Sequence, residues 1–596
     1  MQPPANDWPN TETARKGLYF AQTALLLLDD RSYESFRVQS LDTLARLAEI
    51  ERIAEEITDH GVSYKNLVDP CKELGQTLKN DLAAQSIIGN ESEFYINYFF
   101  SVDDGKARQY GSIGQAATFL YRKLLNYYQK RQENDIISIF DDEDFYQSIY
   151  GKTDIYLSFL INAGYNKAYI KKCLEDVFFN DPITRFDKRK IRRFFAYFPR
   201  DEKEFEVWIP VFGSTEKLLA RLGIDRFKPT PGSAIPSALK SLIAASPNVS
   251  ASDSFLKVIE PSRDAFTAAR DAEIFPRIFR SITILQDKGV SLKGRDYSFV
   301  REKNASQYQL VQRGSHNLQE LNEALTKPYA KFVRRYALTS LTKFEISSVE
   351  RIISSSENVA HSRNNTSSET QLISVWSAIE ILFGDPPDDD TRIKHYRKCL
   401  EPCICLNYPW RYSTAVFNAL RKSHRKALDV AFGEAGIETS MDDSRKFQTL
   451  MFSPNFDKER TDLLAKLHAN PSAVQTILNL RERFKSVSHT ADTVKRHGER
   501  IGWQVSRIYR ARNQFIHSGN VPSYIDSLAK NAYEYYRTAL QNIIFRAENA
   551  DGRSDIDMIV HSIENSMDYE AKRRKKFKAA NPDEEFRELM RCLARH

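Results

Sequence analysis

An arginine, an asparagine and a histidine lie close together near the C-terminal end of the sequence, at Arg512, Asn513 and His517. An arginine guanidinium group can bind a phosphate through two parallel hydrogen bonds and can stabilise negative charge that develops on phosphorus. A histidine exchanges protons near neutral pH and can therefore act as a general acid or base. Together these side chains suit the cleavage of RNA by its own 2′-hydroxyl group, a reaction that needs no metal ion.

The residues before and after this group predict a helix that ends at a tight corner. The apolar residues of the segment recur at helical spacing, at Ile501, Val505, Ile508, Ala511 and Phe515. Arg512 and His517 are five residues apart, which would place them about 140° apart around a continuous helix. We therefore expect the helix to end between them, so that the two side chains converge. Gly519 and Pro522 are typical of such a helix end.

A second amphipathic helix is expected after the corner, over residues 524–546. Ser523 and Asp526 are placed like the first and last residues of a capping box at its start. The expected buried face of this helix consists of Ile525, Leu528, Ala532, Tyr536, Leu540 and Ile543. The sequence thus predicts that the Arg–Asn–His group lies where two packed helices meet.

Three side chains are candidates for supporting roles, and each has a second interpretation. Asn513 either orients the histidine or a phosphate, or is simply exposed at the helix end. Arg510 either contributes to phosphate binding or lies on a solvated helix face. Glu380, in the apolar segment Leu372 to Gly384, either pairs with Arg512 and fixes its orientation or lies at the surface. The same segment contains Trp376, which we expect in the core.

Other catalytic signatures are absent or incomplete. An arginine also precedes His489 and His596 at similar spacing, but neither pair has the following asparagine or the Gly/Pro corner. Residues 151–153 (Gly-Lys-Thr) resemble the end of a phosphate-binding loop, but Tyr146 stands where the loop's first glycine would be. No Gly-x-Ser-x-Gly or His-Glu-x-x-His motif occurs. These observations single out His517.

Composition is that of an ordinary globular protein with several domains. The chain has 596 residues, 41% of them hydrophobic, with a net charge of +7, which permits a nucleic-acid partner without requiring one. No apolar run approaches the roughly 20 residues that cross a bilayer, and the first ten residues do not resemble a signal peptide. We therefore expect a cytoplasmic protein that does not associate with membranes.

Three cysteines cluster at Cys399, Cys403 and Cys405, with His395 just upstream. They could form part of a zinc site, but structural zinc sites usually have a second pair of ligands farther along the chain, which is missing here. The favoured interpretation is that they are reduced thiols packed in the interior. We expect neither a metal nor another cofactor.

The segment Arg512 to His517 resembles the signature of the HEPN superfamily, in which an arginine, often followed by a polar residue, precedes a histidine by four to six positions. The segment Leu372 to Gly384 is similar to the first core helix of the ApeA-like HEPN branch, with Trp376 and Glu380 at the matching places. The resemblance covers about the last 40% of the chain. An insertion around residues 399–470 would account for the long separation between the two segments.

This resemblance implies a helical bundle that dimerises, so that two Arg–His pairs face each other. It also implies a metal-independent endoribonuclease that leaves a 2′,3′-cyclic phosphate and a 5′-hydroxyl group. Members of the superfamily act in phage defence, abortive infection or toxin systems. For this chain the expected partners are RNA (tRNA among the candidates), a second copy of the chain, and a phage-derived trigger or regulatory partner. The alternative is a catalytically silent HEPN module that binds RNA or a protein. A helical scaffold unrelated to nucleic acid is a third interpretation.

Helical periodicity dominates the rest of the chain, so the expected fold class is mainly α and multidomain. A small β element is predicted near residues 200–215, where Glu204 to Phe212 alternates in polarity, and its expected pairing partner is the aromatic run before it. The expected domains are a helical regulatory domain (1–235), a helical connection (236–330), the HEPN-type domain (331–550) and a charged tail (551–596). A linker rich in Pro, Ser, Ala and Gly at Phe227 to Ser254 suggests the first boundary.

Two basic clusters have open interpretations. Phe186 to Arg200 either binds RNA through cations and stacked rings or places its rings in a core beneath a basic face. Lys572 to Lys578 is either a solvated tail or a region that raises affinity for RNA.

Overall fold

The computed structural model describes most of the chain, namely residues 8–9, 11–29, 41–180, 186–211, 229–245, 254–274, 297–312, 338–339, 342–365, 367–386, 392–438, 440–522 and 524–595. It is mainly α-helical, with one small four-stranded antiparallel sheet, as the sequence predicts. The chain forms two compact units. Unit 1 comprises Met1–Ser158, Ile183–Phe186 and His316–His596, and unit 2 comprises Phe159–Pro182 and Asp187–Ser315.

The first half of the described chain contains the helices α1 (Glu12–Leu28), α2 (Thr43–His60), α3 (Val68–Asn80), α4 (Leu82–Ile88), α5 (Ser92–Phe100), α6 (Tyr110–Leu125), α7 (Tyr128–Ser138), α8 (Phe145–Asn162), α9 (Lys167–Phe178), α10 (Lys188–Phe195), α11 (Ser237–Ala244) and α12 (Ala265–Asp271). The strands are β1 (Lys203–Val211), β2 (Ser254–Ser262), β3 (Tyr297–Glu302) and β4 (Gln309–Gln312). The second half contains α13 (Ile346–Asn364), α14 (Ser368–Phe383), α15 (Arg392–Cys405), α16 (Tyr408–Glu434), α17 (Asp443–Phe452), α18 (Asp457–Lys466), α19 (Pro471–Arg483), α20 (Val487–Ser518), α21 (Ile525–Glu548), α22 (Ile556–Lys576) and α23 (Pro582–Cys592).

The N-terminal helices of unit 1 confirm the amphipathic pattern of the sequence. The predicted apolar positions are all buried, at Leu18, Ala21, Leu25, Leu28, Leu41, Leu44 and Leu47. Helix α2 begins after Asp42, whose carboxylate accepts hydrogen bonds from the amides of Leu44 and Ala45. It ends at Gly61, which adopts the left-handed conformation that glycine permits (φ 63°). Local signals therefore fix both ends of a helix that lies close to the candidate site.

Unit 2 is built around the sheet, whose strand order is β2-β1-β3-β4. Because successive residues of a strand point to opposite faces, Val207 and Ile209 of β1 pack on one face with α12, whereas Trp208 packs on the other face with α11. Strand β1 confirms the predicted β element. Its neighbours are β2 and β3, so the expected pairing with the preceding aromatic run is wrong.

That aromatic run instead forms helix α10 and the turn after it. Phe194, Phe195 and Phe198 are buried, whereas Arg192 on the same helix is exposed. The rings are therefore core residues beneath a basic face, which agrees with the second of the two interpretations. Stacking of RNA bases on these three rings would require them to leave the core.

The C-terminal part of unit 1 contains two hydrophobic cores. The first core joins α13, α14, α15, α20, α21 and α22. The second joins α16 to α19 with α23 and the start of α20. The helices from Tyr408 to Arg483 thus pack largely around a core of their own. Cys399, Cys403 and Cys405, at the start of the expected insertion, belong to the first core.

The compact units do not follow the predicted domain boundaries. Residues 1–158 belong to the same unit as the C-terminal helices, and β1 and β2, on either side of the expected boundary at residue 235, pair in one sheet. Residues 254–262, 297–302 and 309–312 are strands, although a helical connection was expected there. Parts of the predicted linker lie outside the described residues. Strand pairing between distant segments, which local composition does not reveal, explains these errors.

The expected charged tail is also wrong. Residues 556–576 and 582–592 form α22 and α23, which contribute Ile559, Ile563 and Leu589 to the two cores. Within the basic cluster, Arg574 is buried and Arg573 pairs with Glu570. Of this cluster, only the lysines remain exposed.

Within the described part of the chain, no helix is both long enough and apolar enough to cross a membrane.

Candidate functional site

Helix α20 carries the Arg–Asn–His group and is continuous through it. The helix begins at the cap Ser486, whose hydroxyl accepts a hydrogen bond from the amide of His489, and runs to Ser518. Gly519 ends it in the left-handed conformation (φ 69°) and donates its amide to the carbonyl of Phe515. The predicted glycine cap is confirmed, but the predicted helix end between Arg512 and His517 is wrong. Residues 513–516 contain neither glycine nor proline, so nothing local interrupts the backbone ladder.

The continuity of α20 separates the two proposed catalytic side chains. Five residues of α-helix correspond to about 7.5 Å along the axis and about 140° around it. Arg512 therefore faces the interior of the bundle, where its side chain is 19% exposed. His517 lies on the exposed end of the helix, and among the described residues its side chain makes no hydrogen bond or ion pair. Within one chain, the structure does not bring Arg512 and His517 together.

Arg512 is held by two neighbours that the sequence identified. Its Nη1 donates to Oδ1 of Asn513 at 2.9 Å, and its Nη2 lies 3.5 Å from Oε2 of Glu380 on α14. The other carboxylate oxygen of Glu380 accepts a hydrogen bond of 2.9 Å from the indole of Trp376, which is fully buried. The predicted contact between Glu380 and Arg512 is confirmed, and Trp376 is a core residue as expected. These successive contacts limit the orientations that the guanidinium group of Arg512 can adopt.

Part of the Arg512 guanidinium group has no partner in the described structure. Its Nε is buried and makes no hydrogen bond there. Buried polar atoms are usually hydrogen-bonded, so this donor is one of the unsatisfied polar atoms of the described structure. An arginine in this state can donate further hydrogen bonds to an anionic ligand.

Arg510 has neither of the environments considered from the sequence. Its Nη2 lies 2.9 Å from Oε1 of Glu49 on helix α2, and its side chain is only 12% exposed. Arg507, one turn earlier, binds the same Glu49 through two nitrogens, at 3.0 and 2.9 Å, and also contacts Glu73 on α3. Arg510 is therefore engaged by a carboxylate of the N-terminal region and does not lie on a solvated face.

This network of buried charges was not found from the sequence. Burial alone would raise the pKa of Glu49, but the guanidinium groups of Arg507 and Arg510 outweigh it and hold that pKa well below its usual value. Burial would likewise raise the pKa of Glu73, and Arg46 and Arg507 lower it. Glutamates are common in surface helices such as α2, so no local signal distinguishes these two. Arg507, which binds both glutamates, lies more than 400 residues away from each of them.

The N-terminal helices make further polar contacts with α20 and α21. Gln514 donates to the carboxylate of Glu56 on α2, and Arg52 donates to the hydroxyl of Tyr524 at 3.4 Å. Farther back on α20, Ser506 donates to Asp69 on α3 at 2.8 Å. Helices α2 and α3 therefore lie along α20 from residue 506 to residue 514, beside the Arg–Asn–His group.

The helix that follows the corner is close to the prediction. Helix α21 begins at Ile525, and all six residues of its predicted apolar face are buried. Ser523, the expected cap, lies outside the described residues. On α20 the predicted stripe is buried at Ile501, Val505, Ile508 and Ala511, and Phe515 is partly buried. Periodicity therefore identified the faces of both helices correctly.

The cysteine cluster is part of the hydrophobic core. Cys399, Cys403 and Cys405 are buried, and burial raises the pKa of each thiol, to about 12 for Cys399. His395 approaches the sulfur of Cys399 to 4.0 Å. No group of three potential metal ligands occurs among the described residues. These environments are those of packed thiols.

The other Arg–His spacings have different surroundings. Arg483 donates to the hydroxyl of Tyr408 at 3.0 Å and lies over the ring of Tyr412, at the end of α19. His489 lies on the first turn of α20. His596 is outside the described residues.

Comparisons of the chain with protein-family models, with curated proteins and with solved structures find no match. The functional assignment therefore depends on the residues and their geometry.

Proposed function

We propose that this protein is a metal-independent endoribonuclease of the HEPN type that acts in the cytoplasm. The observation that carries the proposal is the state of Arg512, which is positioned by Glu380 and Asn513 and retains a buried, unpartnered Nε in the described structure. Such a group can bind a phosphodiester and stabilise the charge that develops on it during cleavage. The exposed His517, on the same helix, supplies the proton-transfer group.

In the proposed reaction, the 2′-oxygen of a ribose attacks the adjacent phosphorus, and the bond to the 5′-oxygen of the next nucleotide breaks. A base accepts the proton of the 2′-hydroxyl group, and an acid donates a proton to the leaving 5′-oxygen. The products are a 2′,3′-cyclic phosphate and a 5′-hydroxyl group. Arg512 stabilises the pentacoordinate phosphorus, while Glu380 and Asn513 orient its guanidinium group.

A second copy of the chain would complete this site. The reaction uses both a base and an acid, and each copy provides one His517. The continuity of α20 adds a geometric reason, since it separates Arg512 from its own His517. Apolar residues on both sides of His517 are exposed, Ile516 by 46% and Val521 by 38%, and a dimer contact would cover them. We therefore propose a homodimer in which the Arg512 and His517 side chains of both copies face one shared site.

The N-terminal helices would regulate this site. Helices α2 and α3 are ion-paired to α20 through Glu49 and Glu73, and Glu56 contacts Gln514, two residues after Arg512. A change in the position of α2 would therefore shift the segment that carries the catalytic group. A phage-derived trigger or a regulatory partner acting on residues 1–158 would fit a role in phage defence, abortive infection or toxin activity.

The test is an RNA cleavage assay in EDTA on total tRNA and on mRNA. We expect His517→Ala and Arg512→Ala each to lower the cleavage rate by about 100-fold or more, since each removes a proton-transfer or charge-stabilising group. Matched controls are His561→Ala and Arg425→Ala, whose side chains are 69% and 70% exposed on other helices; these should cleave like the wild type. Cleavage that survives both active-site substitutions would overturn the assignment.

The second candidate is a silent HEPN module that binds RNA or a partner protein. The observation in its favour is that one chain keeps Arg512 and His517 apart along α20. It predicts RNA binding at low salt with no cleavage by the wild type, and a protein that stays monomeric. Light scattering on the purified chain, run beside the cleavage assay, distinguishes the two candidates.

A further inference from the structure

A cavity of about 670 Å³ lies in unit 1, away from the Arg–Asn–His group. Helices α2, α3 and α8 line one side, and α19 and α20 line the other. Its volume falls in the range of cavities that bind small molecules. The residues of α20 that face it lie between His489 and Gln504, two or more turns before Arg512.

The wall formed by α19 and α20 is rich in basic side chains. The basic residues of α20 at the cavity lie within about 100° of one another around the helix axis, so they share one side of the helix. The basic residues of the wall are Arg483, His489, Arg496, His497 and Arg500. Its one acidic residue, Glu482, pairs with Lys485 at 2.8 Å. Arg496 and Arg500 are exposed at the cavity and can approach an anionic group.

The opposite wall contains carboxylates that the protein already uses. Asp42 caps the start of α2 through two backbone amides. Glu73 pairs with Arg46 at 2.5 Å and also contacts Arg507. The charges of Asp42 and Glu73 are thus compensated within the fold. Asp154 on α8 is a third carboxylate of this wall, and the arginines that border the cavity outnumber it.

Three residues that border the cavity have buried polar atoms without hydrogen-bond partners in the described structure. Gln504 is 7% exposed, and its side-chain oxygen is buried with no hydrogen bond in the described structure. The same holds for the hydroxyl of Ser158, which is 1% exposed, and for Nε of Arg46, which is 5% exposed. Leaving buried polar groups unsatisfied is costly. Three such groups around one cavity indicate a polar ligand that supplies their hydrogen bonds.

Aromatic rings complete the lining. The ring of Tyr408 stacks on the imidazole of His497 with a centroid distance of 3.8 Å and an interplanar angle of 14°. Trp503 and Tyr412 also border the cavity. Flat rings favour a ligand that is itself partly planar.

We propose that this cavity binds a nucleotide. Its phosphate contacts Arg496 and Arg500, and its base and sugar hydrogen bond to the side-chain oxygen of Gln504, the hydroxyl of Ser158 and Nε of Arg46. A phosphate ion alone would leave most of the volume and the buried polar groups unused. The ligand is either a free nucleotide or the terminal nucleotide of an RNA. This inference does not rest on the proposed nuclease activity.

The test is isothermal titration calorimetry on the full chain. The probes are the four ribonucleoside 5′-monophosphates, inorganic phosphate, and a 5′-phosphorylated 2′-O-methyl hexanucleotide, which lacks the 2′-hydroxyl group needed for cleavage. We expect at least one monophosphate to bind about 10-fold more tightly than inorganic phosphate. Replacing both Arg496 and Arg500 by glutamine should weaken that binding about 10-fold or more, because each loses a charge-assisted hydrogen bond. Gln504→Leu should weaken nucleotide binding as well.

The matched control is Lys495→Gln. Lys495 is on the same helix, next to Arg496, but it is 77% exposed and does not border the cavity. Its replacement should leave the dissociation constant within about twofold. If the hexanucleotide binds more tightly than the monophosphates and the double variant weakens its binding, the site takes the end of an RNA. If the hexanucleotide binds more weakly than the monophosphates, the site takes a free nucleotide. Three results would each overturn the proposal. They are no binding of any monophosphate at ~1 mM, equal affinity for the monophosphates and for inorganic phosphate, and a double variant that binds like the wild type.

Discussion

Two arginine sites on helix α20 lie five residues apart and differ in almost every physical property. Arg507 is fully buried and is bound by Glu49 and Glu73, both from the N-terminal region. Arg512 is partly exposed and is bound at 3.5 Å by one carboxylate, that of Glu380. Each of the two arginines keeps one buried nitrogen that makes no hydrogen bond in the described structure. The comparison shows that cations on one helix can have separate roles. Arg507 joins two parts of the fold, whereas Arg512 is the residue that we propose to bind the ligand.

The comparison is tested first by removing the buried cation. Arg507→Ala should lower the free energy of unfolding of unit 1 by about 3–5 kcal/mol, because Glu49 and Glu73 would remain buried after each had lost one of its two arginine partners. Urea denaturation followed by circular dichroism measures the change. The control is Arg425→Ala, which removes a 70% exposed arginine paired with Asp429 at 3.6 Å. It should change the free energy of unfolding by less than about 0.5 kcal/mol. Equal effects of the two substitutions would mean that the buried ion pairs do not stabilise the fold more than an exposed ion pair does.

A smaller effect is expected from Glu49→Gln, and it should depend on pH. The folded state lowers the pKa of Glu49 from its ordinary value of 4.5, so the stabilisation is fully present above pH 4.5 and is lost as the pH falls toward the lowered pKa. At pH 7 the variant should be less stable than the wild type by about 1.5–3 kcal/mol. Below pH 4.5 the difference should shrink.

The matched control for this titration is Glu91→Gln, because Glu91 is 60% exposed and pairs with Lys123 at 3.4 Å. Its effect should stay below about 0.5 kcal/mol at both pH values. Urea denaturation of the three proteins at pH 7 and at ~pH 3.5 provides the measurement. A difference between wild type and Glu49→Gln that grows as the pH falls would contradict the lowered pKa.

The smallest effect on stability is expected at the other site. Glu380→Gln keeps the oxygen that accepts the hydrogen bond from Trp376 but removes the charge that faces Arg512. Because the pair is 3.5 Å apart and each side chain is about one-fifth exposed, stability should change by about 0–1 kcal/mol. RNA cleavage should nevertheless fall about 10-fold, since Arg512 loses the partner that orients it. A variant with full cleavage activity would remove Glu380 from the proposed mechanism.

Local patterns in the sequence determined much of what lies near the candidate site. The apolar faces of α20 and α21, the glycine cap at Gly519, the contact between Glu380 and Arg512, and strand β1 were all predicted from the spacing of residues or from family resemblance. Periodicity and caps act over a few residues, so a single sequence contains them in full. The helix end placed before His517 failed for a related reason: residues 513–516 have no helix-breaking residue, and the prediction relied on a functional requirement instead.

Only the tertiary structure decided which distant segments meet. Nothing in the spacing of Glu49 and Glu73 points to Arg507, and nothing in the composition of residues 204–262 shows that β1 and β2 pair. The C-terminal helices with Ile559 and Leu589 join cores whose other members lie up to about 200 residues earlier. Such contacts depend on how whole helices and strands pack against each other. Burial and charge pairing act between surfaces of these elements, and the surfaces form only when the elements fold. Local sequence patterns therefore determined the helices around the candidate site, and packing determined which charges are buried and which remain exposed.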